Sequence, residues 1–162
     1  METSLKNHQC QYCGLFSEND LYSTSLGLVV CEECWFGEFY CSFFTQKLHK
    51  ITEKIYLGNY KGQENKKLLK ALGISHILVV GSELKINFPE EFIYKQISVE
   101  DDENEKIWIY FQETFDFIEE ASETGKVFVH CLGGISRSPT VVISYLMKKE
   151  RKTFLEAVKF IK

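Results

Sequence analysis

The chain has 162 residues, 44% hydrophobic and 26% charged, enough for one ordinary globular domain plus a small module. Its net charge of −4 argues against general affinity for nucleic acid or anionic membranes. No apolar run approaches the length of a membrane span and the polar stretch Met1 to Gln9 carries no signal-peptide pattern, so the expected setting is the cytoplasm or nucleus, where cysteines stay reduced.

Six cysteines fall at positions 10, 13, 31, 34, 41 and 131. The pairs Cys10-x-x-Cys13 and Cys31-x-x-Cys34, with seventeen residues between them, fit the spacing of a four-cysteine zinc site. Gly14 suits the tight turn after the second cysteine. Two disulfides are the structural alternative, disfavoured in a reducing setting, and iron could occupy the same cage. Leu21 to Val30, broken at Gly27, predicts a β-hairpin. Trp35 to Cys41 predicts a short aromatic-rich helix, with Cys41 as one of its core residues, while His8 and His49 read as surface residues. The arrangement resembles a treble-clef or ribbon-type zinc finger, and its spacing is that of the GATA fingers. The charges oppose a DNA role: residues 1–50 hold Lys6, Lys47 and Lys50 against Glu2, Glu18, Asp20, Glu32, Glu33 and Glu38. The expectation is a structural zinc on Cys10, Cys13, Cys31 and Cys34, in a module that needs its metal to fold and that serves structure or a protein partner.

Thr45 to Ile51 reads as a linker. Beyond it, Glu64 to Leu72 predicts a helix stopped by Gly73. His76 to Gly81 predicts a buried strand and Phe92 to Val99 another. The acidic run Glu100-Asp101-Asp102-Glu103 reads as a mostly solvated loop. Ile107, Tyr110, Phe111, Thr114, Phe115 and Ile118 mark the core-facing side of one long helix. Lys126 to Val129 predicts a buried strand, and Thr140 to Met147 a helix that Ser138 can cap, with Pro139 in its first turn. Strands alternating with helices predict an α/β domain whose mostly parallel central sheet is flanked by helices.

Chemistry concentrates between the last two of these elements. Cys131 and Arg137 share a loop joining a buried strand to a helix N-terminus, where backbone N–H groups and the helix dipole favour an anion. Gly134 lets the loop curl tightly. Arg137 can hold two phosphate oxygens with its planar fork. The same field lowers the pKa of a thiol, which makes Cys131 a candidate thiolate nucleophile toward phosphorus. His130 faces the other way along the strand and is expected to brace the loop by hydrogen bonding. Ser138 can donate a hydrogen bond to the cysteine sulfur.

His130-Cys131-x-x-Gly134-x-x-Arg137-Ser138 resembles the signature of the cysteine-based protein tyrosine phosphatases. Ile97 to Asp101, Val127 to Cys131 and Ser144 to Met147 resemble the dual-specificity branch, and Glu53 to Asn59 resembles the opening strand and turn of its domain. The resemblance covers residues 51–162 and implies a phosphatase-like domain there, after a zinc module and linker over 1–50. It implies Cys131 as nucleophile and a phosphate-binding loop of Leu132, Gly133, Gly134, Ile135, Ser136 and Arg137. Asp101 is the implied general acid, with Asp102 as fallback and His76 a poor rival. Hydrolysis would pass through a phosphocysteine with no metal in the chemistry. Gly133 departs from the alanine usual in related loops, and a slight loosening is expected. Lysines, which often mark loops for inositol phospholipids, are missing at 132, 133, 135 and 136, so phosphorylated protein side chains are the expected substrates. The competing readings are a phospho-residue binder without turnover and a zinc-finger adaptor on a phosphatase fold. Thr153-x-x-Glu156 predicts a capping box opening a final helix. That helix carries Phe154, Leu155, Ala157, Val158, Phe160 and Ile161, more apolar residues than one buried stripe needs, and the expected cover is either the zinc module, through Trp35, Phe36, Phe39, Phe43 and Phe44, or residues that would follow the helix. The resemblance implies a further basic turn and helix after this point.

Overall fold

The computed structural model describes residues 8–11, 16–17, 21–23, 28–31 and 48–162. Its strands are β1 (His8–Gln9), β2 (Phe16–Ser17), β3 (Leu21–Ser23), β4 (Val29–Cys31), β5 (Leu48–Lys50), β6 (Ile55–Asn59), β7 (Ile74–Val80), β8 (Ile93–Ile97) and β9 (Lys126–Cys131). Its α-helices are α1 (Lys66–Ala71), α2 (Phe111–Thr124), α3 (Arg137–Glu150) and α4 (Phe154–Ile161). The central sheet has five strands in the order β5-β6-β9-β7-β8. Four of them run parallel, and β5 adds antiparallel to the edge at β6. The sheet is therefore mixed. Leu48–Lys50, inside the stretch expected to be a linker, is its edge strand.

Side-chain alternation divides the core in two. On β9, Val127, Val129 and Cys131 face one layer, and Phe128 faces the other. The first layer is closed by α2, α3 and Ala157 of α4, with Ile55, Leu57, Leu78, Val80 and Ile97 from the neighbouring strands. The second is closed by Leu68, Leu69 and Leu72, with Tyr56, Ile77 and Val79 from the sheet. A register irregularity between Ile74 and His76 lets Ile74 and Ile77 share one layer despite their odd spacing. The Ser75 hydroxyl fills the break by bonding the Lys126 carbonyl at 3.3 Å. Gly73 has φ +75°, the left-handed conformation that ends α1 as its sequence predicts. The expected long helix from Ile107 begins as a 3-10 turn, Ile107–Tyr110, before α2. Thr114, Phe117, Ile118 and Ala121 form its buried stripe.

In the N-terminal segment, β1 pairs with β2 and β3 with β4, so the predicted hairpin over 21–30 is present in backbone form. The expected helix at Trp35 to Cys41 lies outside the described residues. Cys10, Leu28 and Val30 join the layer of α1, on the opposite side of the sheet from α4. The aromatic residues expected to cover the last helix, Trp35, Phe36, Phe39, Phe43 and Phe44, lie outside the described residues. Phe154 and Leu155 are 58% and 67% exposed, and the helix is tied to the core through Ala157. Its capping box is formed as predicted, with the Thr153 N–H donating to Glu156 Oε2 at 2.7 Å. Among the described residues, no helix is long and apolar enough to cross a membrane.

Candidate active site

β9 is the central strand, paired on one side with β6 and on the other with β7, and it carries Cys131 to the carboxyl end of the parallel strands. The loop that follows turns back over the end of β6. Gly134 has φ +70°, and a Cβ there would lie 2.7 Å from the Gly58 carbonyl carbon and oxygen. Only glycine fits that approach. The Tyr60 N–H donates to the Leu132 carbonyl at 3.2 Å, pinning the near side of the loop. Leu132, Gly133, Ile135 and Ser136 stay exposed around the mouth. At Gly133 a Cβ would meet nothing nearer than the Ile135 side chain at 3.9 Å, so the loop has room for an alanine there.

α3 starts two residues earlier than the capping reading of Ser138 requires. Its N-cap is Ser136, without a side-chain cap bond, and Pro139 falls in the first turn as expected. Ser138 sits inside the helix, fully buried, and its hydroxyl turns toward the loop instead. It donates to Cys131 Sγ at 3.2 Å, and the Gly134 N–H donates to the same sulfur at 3.3 Å. Burial pushes the Cys131 thiol up, but the donors from Ser138 and Gly134 and the charge of Arg137 outweigh it, and its pKa falls below the ordinary thiol value.

Arg137, the first residue of α3, is 4% exposed. Its Nη2 and Nη1 donate to the two Glu83 carboxylate oxygens at 2.7 and 3.0 Å, and Nη1 also reaches the Val99 carbonyl at 3.3 Å. Hydrogen bonding to Arg137 holds the Glu83 carboxyl below the usual range. The acid loop arrives at the same guanidinium, with Asp101 Oδ1 3.8 Å from Nε. Asp102 is directed elsewhere: its Oδ1 accepts from the Asn104 N–H at 2.8 Å, an Asx-type turn that shapes the loop. Of the two aspartates, Asp101 is the one beside Arg137.

His130 is fully buried on the face opposite Cys131, stacked on Phe128 at 5.2 Å between ring centroids. Its Nδ1 lies 3.4 Å from the Cys131 carbonyl oxygen. Burial pushes its pKa down to about 4, so the ring is neutral at ordinary pH. His76 is likewise buried, edge-on to Phe117 at 5.5 Å, a core position. Cys131, Gly134, Arg137, Ser138 and Asp101 thus converge. Of the four expected zinc ligands, only Cys10 is described with its side chain, which is buried. Cys13, Cys34 and the Cys31 side chain lie outside the described residues. Glu83 was not legible in the sequence. It stands 54 residues from Arg137, on an exposed loop with no local pattern to mark it.

A low-pKa thiol under a curl of backbone amides, with an arginine opening the next helix, defines a phosphate site of the cysteine type. Residues 55–162 match the family model for the dual specificity phosphatase catalytic domain, and the chain belongs to that family. It is 42% identical over 113 residues to Arabidopsis thaliana dual specificity protein phosphatase 1, an alignment covering 69% of this chain and 57% of that protein. Against Mus musculus dual specificity protein phosphatase 1 it is 39% identical over 114 residues, 70% of this chain and 31% of that protein. The chain therefore spans little more than half of the first relative and under a third of the second. Among solved structures, the human tyrosine phosphatase-like serine/threonine/tyrosine-interacting protein is similar at TM-score 0.67 and 29% identity, covering 71% of this chain and 82% of that one. DUSP15 is similar at TM-score 0.66 and 27% identity, covering 72% and 74%.

Proposed function

We propose that the chain hydrolyses phosphate monoesters on protein side chains, phosphotyrosine and also phosphoserine or phosphothreonine. The observation that carries this reading is the sulfur of Cys131, which receives two hydrogen bonds and faces a cationic, amide-lined loop. The Cys131 thiolate attacks phosphorus in line, forming the S–P bond as the bond to the leaving oxygen breaks. Loop N–H groups from Leu132 to Arg137 and the Arg137 guanidinium hold the three equatorial oxygens. Asp101 gives its proton to the leaving oxygen, then takes one from the water that hydrolyses the phosphocysteine. Ser138 donates to the sulfur as it departs, and His130 braces the strand end from behind. No metal or organic cofactor enters these steps. The presence of nucleophile, arginine and acid together favours turnover over simple phospho-residue binding.

The proposal has a second part. Residues 1–50 form a zinc-binding module with Cys10, Cys13, Cys31 and Cys34 around one structural zinc, and residues 51–162 form the catalytic domain. The cysteine spacing supports this. So does the backbone beside Cys10: the Gln11 N–H donates to the Val29 carbonyl at 2.9 Å and the Val29 N–H to Gln11 Oε1 at 2.6 Å, which brings the turn after β1 against the strand that ends in Cys31. The module offers a surface to a protein partner, and the protein works in the cytoplasm or nucleus. Phosphorylated kinases are within the proposed substrate class, since one relative, 41% identical over 113 residues, is the Dictyostelium discoideum MAP kinase phosphatase with leucine-rich repeats protein 3. The purified chain should hydrolyse para-nitrophenyl phosphate and release phosphate from phosphotyrosyl and phosphothreonyl peptides. Failure on all three substrates would overturn the enzymatic reading. Metal analysis should find one zinc per chain, and disulfides among the four cysteines would overturn the zinc reading.

A further inference from the structure

The Glu83 carboxylate meets Arg137 in a way that decides which part of the guanidinium is left for a ligand. A guanidinium carries five N–H donors in a fixed plane. Glu83 takes the end-on pair, one from Nη1 and one from Nη2, and the Val99 carbonyl takes the outer Nη1 hydrogen. What remains is Nε–H and the outer Nη2 hydrogen, two parallel donors along one side. Nε is buried with no hydrogen-bond partner, and the nearest carboxylate oxygen, on Asp101, is 3.8 Å away. A buried donor left unpaired is unfavourable unless a ligand completes it. Here the unpaired edge has the geometry that two oxygens of a phosphoryl group require.

The loop that presents Glu83 is itself fixed. The Gly81 N–H donates to the Ile97 carbonyl at 3.0 Å and the Ser82 N–H to the Val99 carbonyl at 3.3 Å. Gln96 Nε2 donates to the Gly81 carbonyl at 2.7 Å and to the Leu84 carbonyl at 2.9 Å, clamping both ends of the turn that holds Glu83. Gly81 is needed for close approach: a Cβ there would lie 2.7 Å from Arg137 Nη1 and 2.9 Å from Glu83 Oε2. Strand end, turn and carboxylate are thus built around the guanidinium.

We infer that Glu83 is a positioning residue for Arg137, turning the Nε–Nη2 edge of the guanidinium toward the two equatorial phosphate oxygens it binds. The inference rests on the phosphatase reading and adds to it a residue outside the signature loop. Without Glu83 the guanidinium keeps its charge and loses its orientation. The chemical step should therefore suffer more than ground-state binding, because the phosphoryl oxygens gain most from a fixed fork in the transition state.

The test uses the full chain as wild type, Glu83→Ala and Glu83→Gln. Kinetics on para-nitrophenyl phosphate are read beside orthovanadate affinity by calorimetry and the melting temperature. Glu83→Ala should lower kcat by about 10- to 100-fold, with a smaller change in KM, and should weaken orthovanadate binding in parallel. Glu83→Gln keeps one acceptor, its amide carbonyl oxygen, and should lose less. A Glu83→Ala chain whose kcat and orthovanadate affinity both stay within about twofold of wild type, whatever its melting temperature, overturns the inference and leaves only a structural ion pair. Lack of turnover in the wild type would count against the phosphatase reading alone. Orthovanadate binding needs no turnover, so it decides the role of Glu83 in either case.

Discussion

Replacing Ser138 by alanine removes one oxygen and leaves the rest of the loop in place. Ser138 is fully buried, and its hydroxyl donates to Cys131 Sγ at 3.2 Å with the Gly58 carbonyl 3.5 Å away. Alanine keeps the Cβ and vacates only the space of the hydroxyl, so the surrounding packing changes little. A hydrogen bond to a charged partner is worth about 1.5–3 kcal/mol. Its loss should therefore raise the Cys131 thiol pKa. The sign follows from the thiolate being the form that accepts this bond: removing the donor favours the thiol. Gly134 and Arg137 still act on the sulfur, so part of the depression persists. The pH dependence of iodoacetate alkylation reads the thiol directly, without substrate. Its inflection should move to higher pH in Ser138→Ala, and dephosphorylation should slow because the departing sulfur loses its donor. An unmoved inflection in a folded variant would refute the role given to this hydroxyl.

The two adjacent loop glycines should behave oppositely: Gly134→Ala, with φ +70° and the Gly58 carbonyl 2.7 Å away, should abolish para-nitrophenyl phosphate hydrolysis, whereas Gly133→Ala should keep activity and gain about 0.4–1 kcal/mol in chemical denaturation. For His130, protonation is resisted in the folded state, with pKa about 4, against about 6.5 unfolded, so stability present above the unfolded value is lost as pH falls toward the folded one. Urea denaturation of wild type should therefore lose on the order of 2 kcal/mol to this group between about pH 7 and pH 5, and His130→Asn should remove that share of the slope. Asp101→Asn should slow hydrolysis of an alkyl phosphate, a poor leaving group, far more than that of para-nitrophenyl phosphate, and a larger effect from Asp102→Asn would shift the acid by one residue.

The loop chemistry was legible because it is local. Cys131, Gly134, Arg137 and Ser138 lie within eight residues, and their spacing between a strand and a helix implies the pocket before any fold is known. The parallel strands were legible for a similar reason, since continuous apolar runs such as Ile77 to Val80 can only be buried on both faces. What the sequence hid depends on contacts between distant segments. Ser138 reads as a cap because serine before a helix usually caps it, yet the cysteine sulfur competes for the same hydroxyl. Leu48–Lys50 has no strand pattern of its own and becomes one by pairing with β6. Glu83 is one acidic residue on an exposed turn, and only the crossing of β7, β8 and α3 gives it a partner. The described apolar residues of the N-terminal segment, Cys10, Leu28 and Val30, join the core layer on the other side of the sheet from α4, a placement that no local pattern in the sequence marks.

The central claim is that Cys131 carries the phosphoryl group between substrate and water. Rapid mixing of the full chain with a phosphotyrosyl peptide bearing radiolabelled phosphate, followed by acid quench and peptide mapping, tests it directly. A transient label should appear on the peptide that contains Cys131, at a rate no slower than turnover. It should be missing from Cys131→Ser, which should still bind orthovanadate. Hydrolysis by Cys131→Ser at an appreciable fraction of the wild-type rate, or wild-type turnover with the label on any other residue, would contradict the account.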